Sequence, residues 1–171
     1  MTETVDLVDS GGRIAIPAIP RYDIGRYHDF YLQIVIVVIH NARGEILVHQ
    51  RSLCKDVNPG DIDHVCGAII SGETPLDAAR REVREETGVS LRELTLLSHG
   101  LNSYGRYRYL LLGSTDEQPR QDSVDAQEVA WVGYDRPESL ALKCSSGELT
   151  FTDGFFEDLQ IARPYLPDRD Y

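Results

Sequence analysis

Residues 67–89 read GAIISGETPLDAARREVREETGV, and this stretch decides how the rest of the chain is understood. Its second half is a helix by local rules. Thr74 is a favoured N-cap, Pro75 fits the first helical position, where its missing N–H costs nothing, and Asp77 stands at the capping-box position. Strong helix formers then continue to Thr87, and Gly88 supplies the residue that ends a helix in the left-handed conformation. The spacing predicts a helix over 74–87 with two unlike sides. Leu76, Ala79 and Val83 recur at core spacing, while Glu82, Glu85 and Glu86 at i, i+3 and i+4 share one turn of the other side.

Like charges at that spacing cost an isolated helix roughly 0.2 to 0.5 kcal/mol per pair, and Arg81 and Arg84 offset only part of it. A bound cation would relieve the repulsion. Clustered carboxylates with no imidazole or thiolate among them suit a hard ion, Mg2+ or Mn2+, rather than zinc. The helix alone reads equally as a solvated acidic face, because Glu is a good helix former. Its flanks have to decide.

Outside this helix the chain is mostly strand-like. Runs rich in β-branched and aromatic residues predict strands at 5–8, 33–39, 45–50, 94–101, 107–112 and 128–132. Asn41-Ala42-Arg43-Gly44 reads as a hairpin turn with Gly at the position needing a positive φ. A second helix is expected over 153–163, with Phe155, Leu159 and Ala162 on one side and Pro164 ending it. Strands mixed with two helices in this order give an α+β class. At 171 residues and 42% hydrophobic content, one domain spanning 1–171 is expected.

The bulk numbers exclude several classes of function. The apolar run 34–39 is far shorter than the roughly 20 residues that cross a bilayer, so no membrane partner is expected. Residues 1–10 are acidic and lack a basic region followed by an apolar run, which reads as neither a signal nor a transit peptide and gives a cytoplasmic expectation. Twenty-eight acidic against 17 basic side chains, net charge -11, would repel a nucleic acid. A bound cation can still reverse the local field for a small anionic metabolite. Cys54, Cys66 and Cys144 stand too far apart for a structural zinc site and read as reduced thiols. A homodimer is compatible with the size of the chain, although no residue pattern specifies an interface.

The whole segment fits G-x5-E-x7-R-E-U-x-E-E-x-G-U, with U aliphatic, from Gly67 to Val89. Seven fixed identities, each met by chance roughly one time in fifteen, give odds on the order of one in a hundred million per starting point, which rules out coincidence. The segment is identified as a complete Nudix box. The resemblance implies the Nudix fold, a mixed β-sheet sandwiched between α-helices, and a divalent-metal-dependent hydrolase that cleaves a diphosphate linkage in a nucleotide-like or other phosphorylated small metabolite. It implies that Glu82 and Glu86 are metal ligands, that Glu85 is a further ligand or the general base, and that the Gly67 carbonyl adds a backbone ligand. Arg81 would orient the glutamates, and Glu73 and Gly88 would be structural. Glu117 and Glu128 are alternative bases.

Beyond the box, LVHQRS (47–52) and KDVNPGDIDHVCGAI (55–69) resemble the Nudix subgroup that includes type I isopentenyl-diphosphate isomerase and its hydrolase relatives. Cys66 stands where that isomerase has its catalytic cysteine. Ala68 replaces the histidine ligand expected just after it, a Glu-Val-Cys-type segment is missing from 101–113, and the box is intact where the isomerase's is degenerate. These departures favour hydrolysis and leave Cys66 as a buried strand thiol. His64, two residues earlier, would share its strand face. A non-catalytic nucleotide-sensing module is a third reading, and the retained glutamates argue against it. For substrate contacts, Arg51 at a strand end, and Tyr104 and Arg106 in an alternating Tyr/Arg run, are candidates. Tyr107 and Tyr109 would share one face of that strand, and Trp131 reads as core.

Overall fold

The computed structural model describes residues 3–167. Among them run strands β1 (Thr4–Val8), β2 (Ile14–Pro20), β3 (Tyr31–His40), β4 (Ile46–Arg51), β5 (Ile62–Asp63), β6 (Val65–Ala68), β7 (Glu93–Leu101), β8 (Arg106–Ser114) and β9 (Val129–Asp135). The α-helices are α1 (Pro75–Thr87), α2 (Pro137–Ser145) and α3 (Phe155–Ala162), and short 3-10 helices lie at Arg21–Arg26, Gln121–Ser123 and Arg163–Tyr165. β3 is the hub of a mixed sheet. It lies parallel to β8 and antiparallel to β6, and β1 and β4 join its two ends.

The continuous apolar run of β3 follows from its position, because both of its faces are covered. Val35, Val37 and Ile39 pack with Leu47 and Leu111 against Ala78, Ala79 and Val83 of α1. Val38 packs on the opposite side with Ile46 and Leu110 against Leu140 of α2 and Phe155, Leu159 and Ala162 of α3. Each large side chain buried this way contributes about 1.5 to 3 kcal/mol. The α+β expectation and the sheet between helices are both realised. The 41–44 turn forms as expected: Asn41 Oδ1 accepts the N–H groups of Arg43 and Glu45 at 2.9 and 3.0 Å, and Gly44 has φ 69°.

Local rules failed at several places. β2 reads IAIPAIP, and its prolines hide a strand that survives because it pairs on one side only, with β1. α2, with Pro137 at its start, is a short helix whose weak amphipathic pattern gave no signal. Leu76 was expected in the core and is 44% exposed, since the buried side of α1 is made by Ala78, Ala79, Val83 and Thr87. Trp131 was likewise expected inside and is 45% exposed. Its strand pairs with β4, and its indole instead lies over Gly133, where a Cβ would come within 2.4 Å of the ring.

Candidate functional site

α1 begins as its sequence dictates. Thr74 Oγ1 accepts the Asp77 N–H at 3.2 Å, Pro75 is at the first turn, and Gly88 ends the helix at φ 71° with its N–H on the Arg84 carbonyl at 3.0 Å. With Ala79 and Val83 fixed in the core, the turn carrying Glu82 and Glu86 is pressed against β6. Glu86 Oε2 accepts the Cys66 N–H at 3.3 Å. Glu82 lies across Gly67, where an added Cβ would stand 1.9 Å from its carboxylate carbon. Only glycine leaves room for it.

Arg81 ties this arrangement together. Its Nε and Nη2 donate to both oxygens of Glu73 at 2.8 and 2.9 Å, Nη2 also donates to the Ala68 carbonyl at 2.9 Å, and Nη1 donates to Glu82 at 2.7 Å and Glu85 at 3.2 Å. Glu73 in turn accepts the Ile70 N–H at 3.2 Å, which closes the loop before the helix. The guanidinium holds the Glu73 carboxyl below its ordinary pKa, and Glu73 foremost raises that of Arg81. Glu85 is the outer member, 58% exposed on its side chain.

Glu82 and Glu86 are pushed the other way. Burial raises both acids, Glu86 the further; repulsion by Glu82 adds to it at Glu86, while at Glu82 Arg81 opposes it and Glu85 adds to it. The ion-pair contact described for Glu86 is His49, with Nδ1 at 3.5 Å. Burial, then Arg51, lowers the His49 pKa to about 3, so this imidazole is neutral and brings no positive charge. Cys66 also lines the cleft, and burial, followed by Asp63 and Glu86, drives its thiol well up and keeps it protonated.

The alternation of an antiparallel pair corrects one expectation. The N–H and C=O of one residue point to the same side, and that side switches along the strand. The Cys66 N–H and the Ala68 carbonyl both face α1, so Gly67, paired with Val35, turns its own groups toward β3. The Gly67 carbonyl is therefore not presented to the glutamates. The carbonyl on the correct side belongs to Cys66.

These groups floor a cleft of about 870 Å3. Arg51, Arg106 and Glu128 line it as the sequence suggested, together with His49, Arg21 and Lys55, which sequence reasoning missed. Lys55 pairs with Glu128 across the cleft, while Arg51 donates twice to the Val57 carbonyl, at 3.1 and 2.9 Å, and to Asp63 at 3.4 Å. Tyr104 does not belong to this cleft: it lines a separate cavity beside Arg108 and Asp158. Glu117 is also elsewhere, accepting the Ser90 N–H at 3.0 Å. His64 and Cys66 do stand on one side of the sheet, since Val65 and Gly67 turn to α1. His64 falls in the break between β5 and β6 and stacks on Phe155 with centroids 4.0 Å apart, on the α3 side of the sheet. Tyr107 and Tyr109 do share a face, with rings 5.4 Å apart.

Among the described residues, no three His, Cys, Asp or Glu side chains converge into a ready-made cation site. The donor set still fits a hard divalent ion. Glu86 is a buried carboxylate without a cationic partner among the described residues, Glu82 is one helical turn away, and the backbone oxygen of Cys66 points to the same side.

The NUDIX domain family model matches residues 31–150. A Nudix hydrolase of Pseudomonas aeruginosa is 30% identical over 135 residues, covering 76% of this chain and 75% of its own. The isopentenyl-diphosphate delta-isomerase of Streptomyces coelicolor is 31% identical over 140 residues, 75% of this chain and 68% of that one. The chain spans 30% and 59% of the lengths of Nudix relatives from Yersinia pestis and Salmonella typhi. A Deinococcus radiodurans protein of known structure superposes with a TM-score of 0.73 at 23% identity, covering 95% of this chain and 99% of its own, which is a likeness of fold.

Proposed function

The chain belongs to the Nudix family, and from that premise we propose that it is a divalent-metal-dependent hydrolase of a small diphosphate-containing metabolite, acting in the cytoplasm. The observation that carries this reading is the pair of buried carboxylates, Glu82 and Glu86, beneath a cleft whose rim bears Arg21, Arg51, Lys55 and Arg106. In a chain of net charge -11, those side chains and a cation below them would make a positive environment that suits a diphosphate.

Glu82 and Glu86 would hold the ion, joined by Glu85 and the Cys66 carbonyl. Mg2+ or Mn2+ bound there would supply charge against the diphosphate and would lower the pKa of a bound water. Arg81 fixes Glu82 by anchoring itself to Glu73. Water oxygen attacks phosphorus, its proton passes to a carboxylate, and the bridging P–O bond breaks with its electron pair on the departing phosphate. Glu85 is the first candidate for that carboxylate, since it is exposed at the cleft and held by a single contact to Arg81. Glu128 is the alternative within the same cleft. Arg51, Arg106 and Lys55 would neutralise the outer phosphate.

Cys66 supports a second reading. It lies in the cleft beside the glutamates, and the Streptomyces relative is an isomerase of an alkenyl diphosphate. A protonated thiol could deliver a proton to a double bond. The same assay separates the two: phosphate release, with Mg2+ or with EDTA, from nucleoside triphosphates, dinucleoside polyphosphates, nucleotide sugars and coenzymes, alongside isopentenyl diphosphate followed by proton NMR. Metal-dependent release lost in Glu85→Gln is the expected result; isomerisation lost in Cys66→Ala would replace hydrolysis by the second reading.

A further inference from the structure

His49 is the residue that the glutamate chemistry leaves without a purpose. It sits on β4 between partners Asp63 of β5 and Val132 of β9, with 3% of its side chain exposed, and it lines the cleft. Its Nδ1 is buried and, among the described residues, makes no hydrogen bond, although it faces Glu86 Oε2 at 3.5 Å. An imidazole nitrogen left unpaired in the interior costs about 1 to 3 kcal/mol. The neighbouring carboxylate is in the same position, a buried charge lacking a cation among the described residues. Two donors on one cation, with bonds of roughly 2.1 Å, stand about 3.0 to 3.4 Å apart at angles from octahedral to tetrahedral. The observed separation is slightly too long for a hydrogen bond and close to what shared coordination requires.

We propose that His49 Nδ1 is a further ligand of the cation held by Glu86, and that the site consequently prefers Mn2+ to Mg2+. The inference rests on the metal-dependent reading above. Mg2+ demands oxygen donors and parts reluctantly with water, whereas imidazole suits first-row transition ions. One nitrogen among carboxylates therefore tilts the selectivity without excluding magnesium. Sequence patterns could not have shown this. His49 lies in ILVHQR, far from the box, and the pairing of β4 with β3 and β5 carries it to α1.

The test is electron spin-echo spectroscopy of the Mn2+-loaded full chain. Wild type should show 14N modulation that becomes 15N modulation when histidine alone is labelled with 15N, and His49→Gln should lose it. The variant should also bind Mn2+ at least tenfold more weakly while its Mg2+ affinity changes by less than about threefold. Mn2+ bound through Glu86 without any histidine coupling overturns the proposal, as does coupling that persists in His49→Gln. If that variant does not fold, the labelled wild type decides alone. Mn2+ binding that is absent, or unchanged in Glu86→Gln, instead brings down the metal reading on which the proposal stands.

Discussion

Glu86→Gln should make the metal-free protein more stable while abolishing its activity. Glu86 has 14% of its side chain exposed, accepts one backbone N–H at 3.3 Å, and faces a neutral imidazole. Burying an unpaired carboxylate costs several kcal/mol, and a charge-assisted hydrogen bond returns about 1.5 to 3 kcal/mol. A net penalty of about 2 kcal/mol remains. Glutamine has the same shape and can accept the Cys66 N–H, so the variant escapes that penalty. In a chain of this size the difference corresponds to a melting temperature about 4 to 8 °C above wild type in EDTA. Saturating Mg2+ should reverse the order, since ligand at a hundred times Kd adds about 2.7 kcal/mol to wild type and nothing to a variant that does not bind it. Thermal unfolding followed by circular dichroism, with EDTA and with Mg2+, reads both effects. A variant less stable than wild type in EDTA would refute the reasoning, because Glu86 would then be forming a stabilising pair in the metal-free state.

Gly67→Ala places a methyl group where the Glu82 carboxylate lies, so activity should fall at least tenfold while melting shifts by only a few degrees, as kinetics and calorimetry on one preparation would show. Arg81→Lys keeps the charge and loses the fork on Glu73, and should cost about 2 kcal/mol in urea unfolding; an unchanged midpoint would mean that the network is not holding the loop. Burial raises the Asp63 pKa from 3.8 to about 6, against the pull of Thr152 and Arg51. Folding therefore favours its protonated form: that stabilisation is complete below about pH 4 and is lost as pH rises through about 6, up to about 3 kcal/mol in all. Asp63→Asn should flatten urea-unfolding stability across that window, and an unchanged slope would assign it to other acids. Gly88→Ala must accept φ 71° and a Cβ 2.2 Å from Ser123 Oγ, which should cost at least about 1 kcal/mol in the same measurement.

Features governed by near neighbours were legible in the sequence. The caps of α1, the Asn41 to Gly44 turn and the apolar face of α3 all depend on contacts within a few residues, and their residue types announced them. β2 was obscured because Pro17 and Pro20 argue against a strand, and only its one-sided pairing with β1 makes them harmless. The box located Glu82, Glu85 and Glu86, but not which backbone oxygen would accompany them. That depends on the register of Gly67 opposite Val35, a long-range fact. His49, Lys55 and Arg21 reach the cleft from separate elements, and nothing local marks them. Tyr104 went astray for the converse reason: its pattern suggested a binding face, and the β7–β8 connection carries it to another cavity.

The most direct test of the hydrolytic account is 31P NMR of turnover in water enriched in 18O, using whichever diphosphate is cleaved fastest. With Mg2+, one heavy oxygen should enter one product phosphate per cleavage. Both the isotope shift and turnover should vanish in EDTA and in Glu82→Gln. Cleavage that persists unchanged in EDTA, or product free of 18O, would contradict the account.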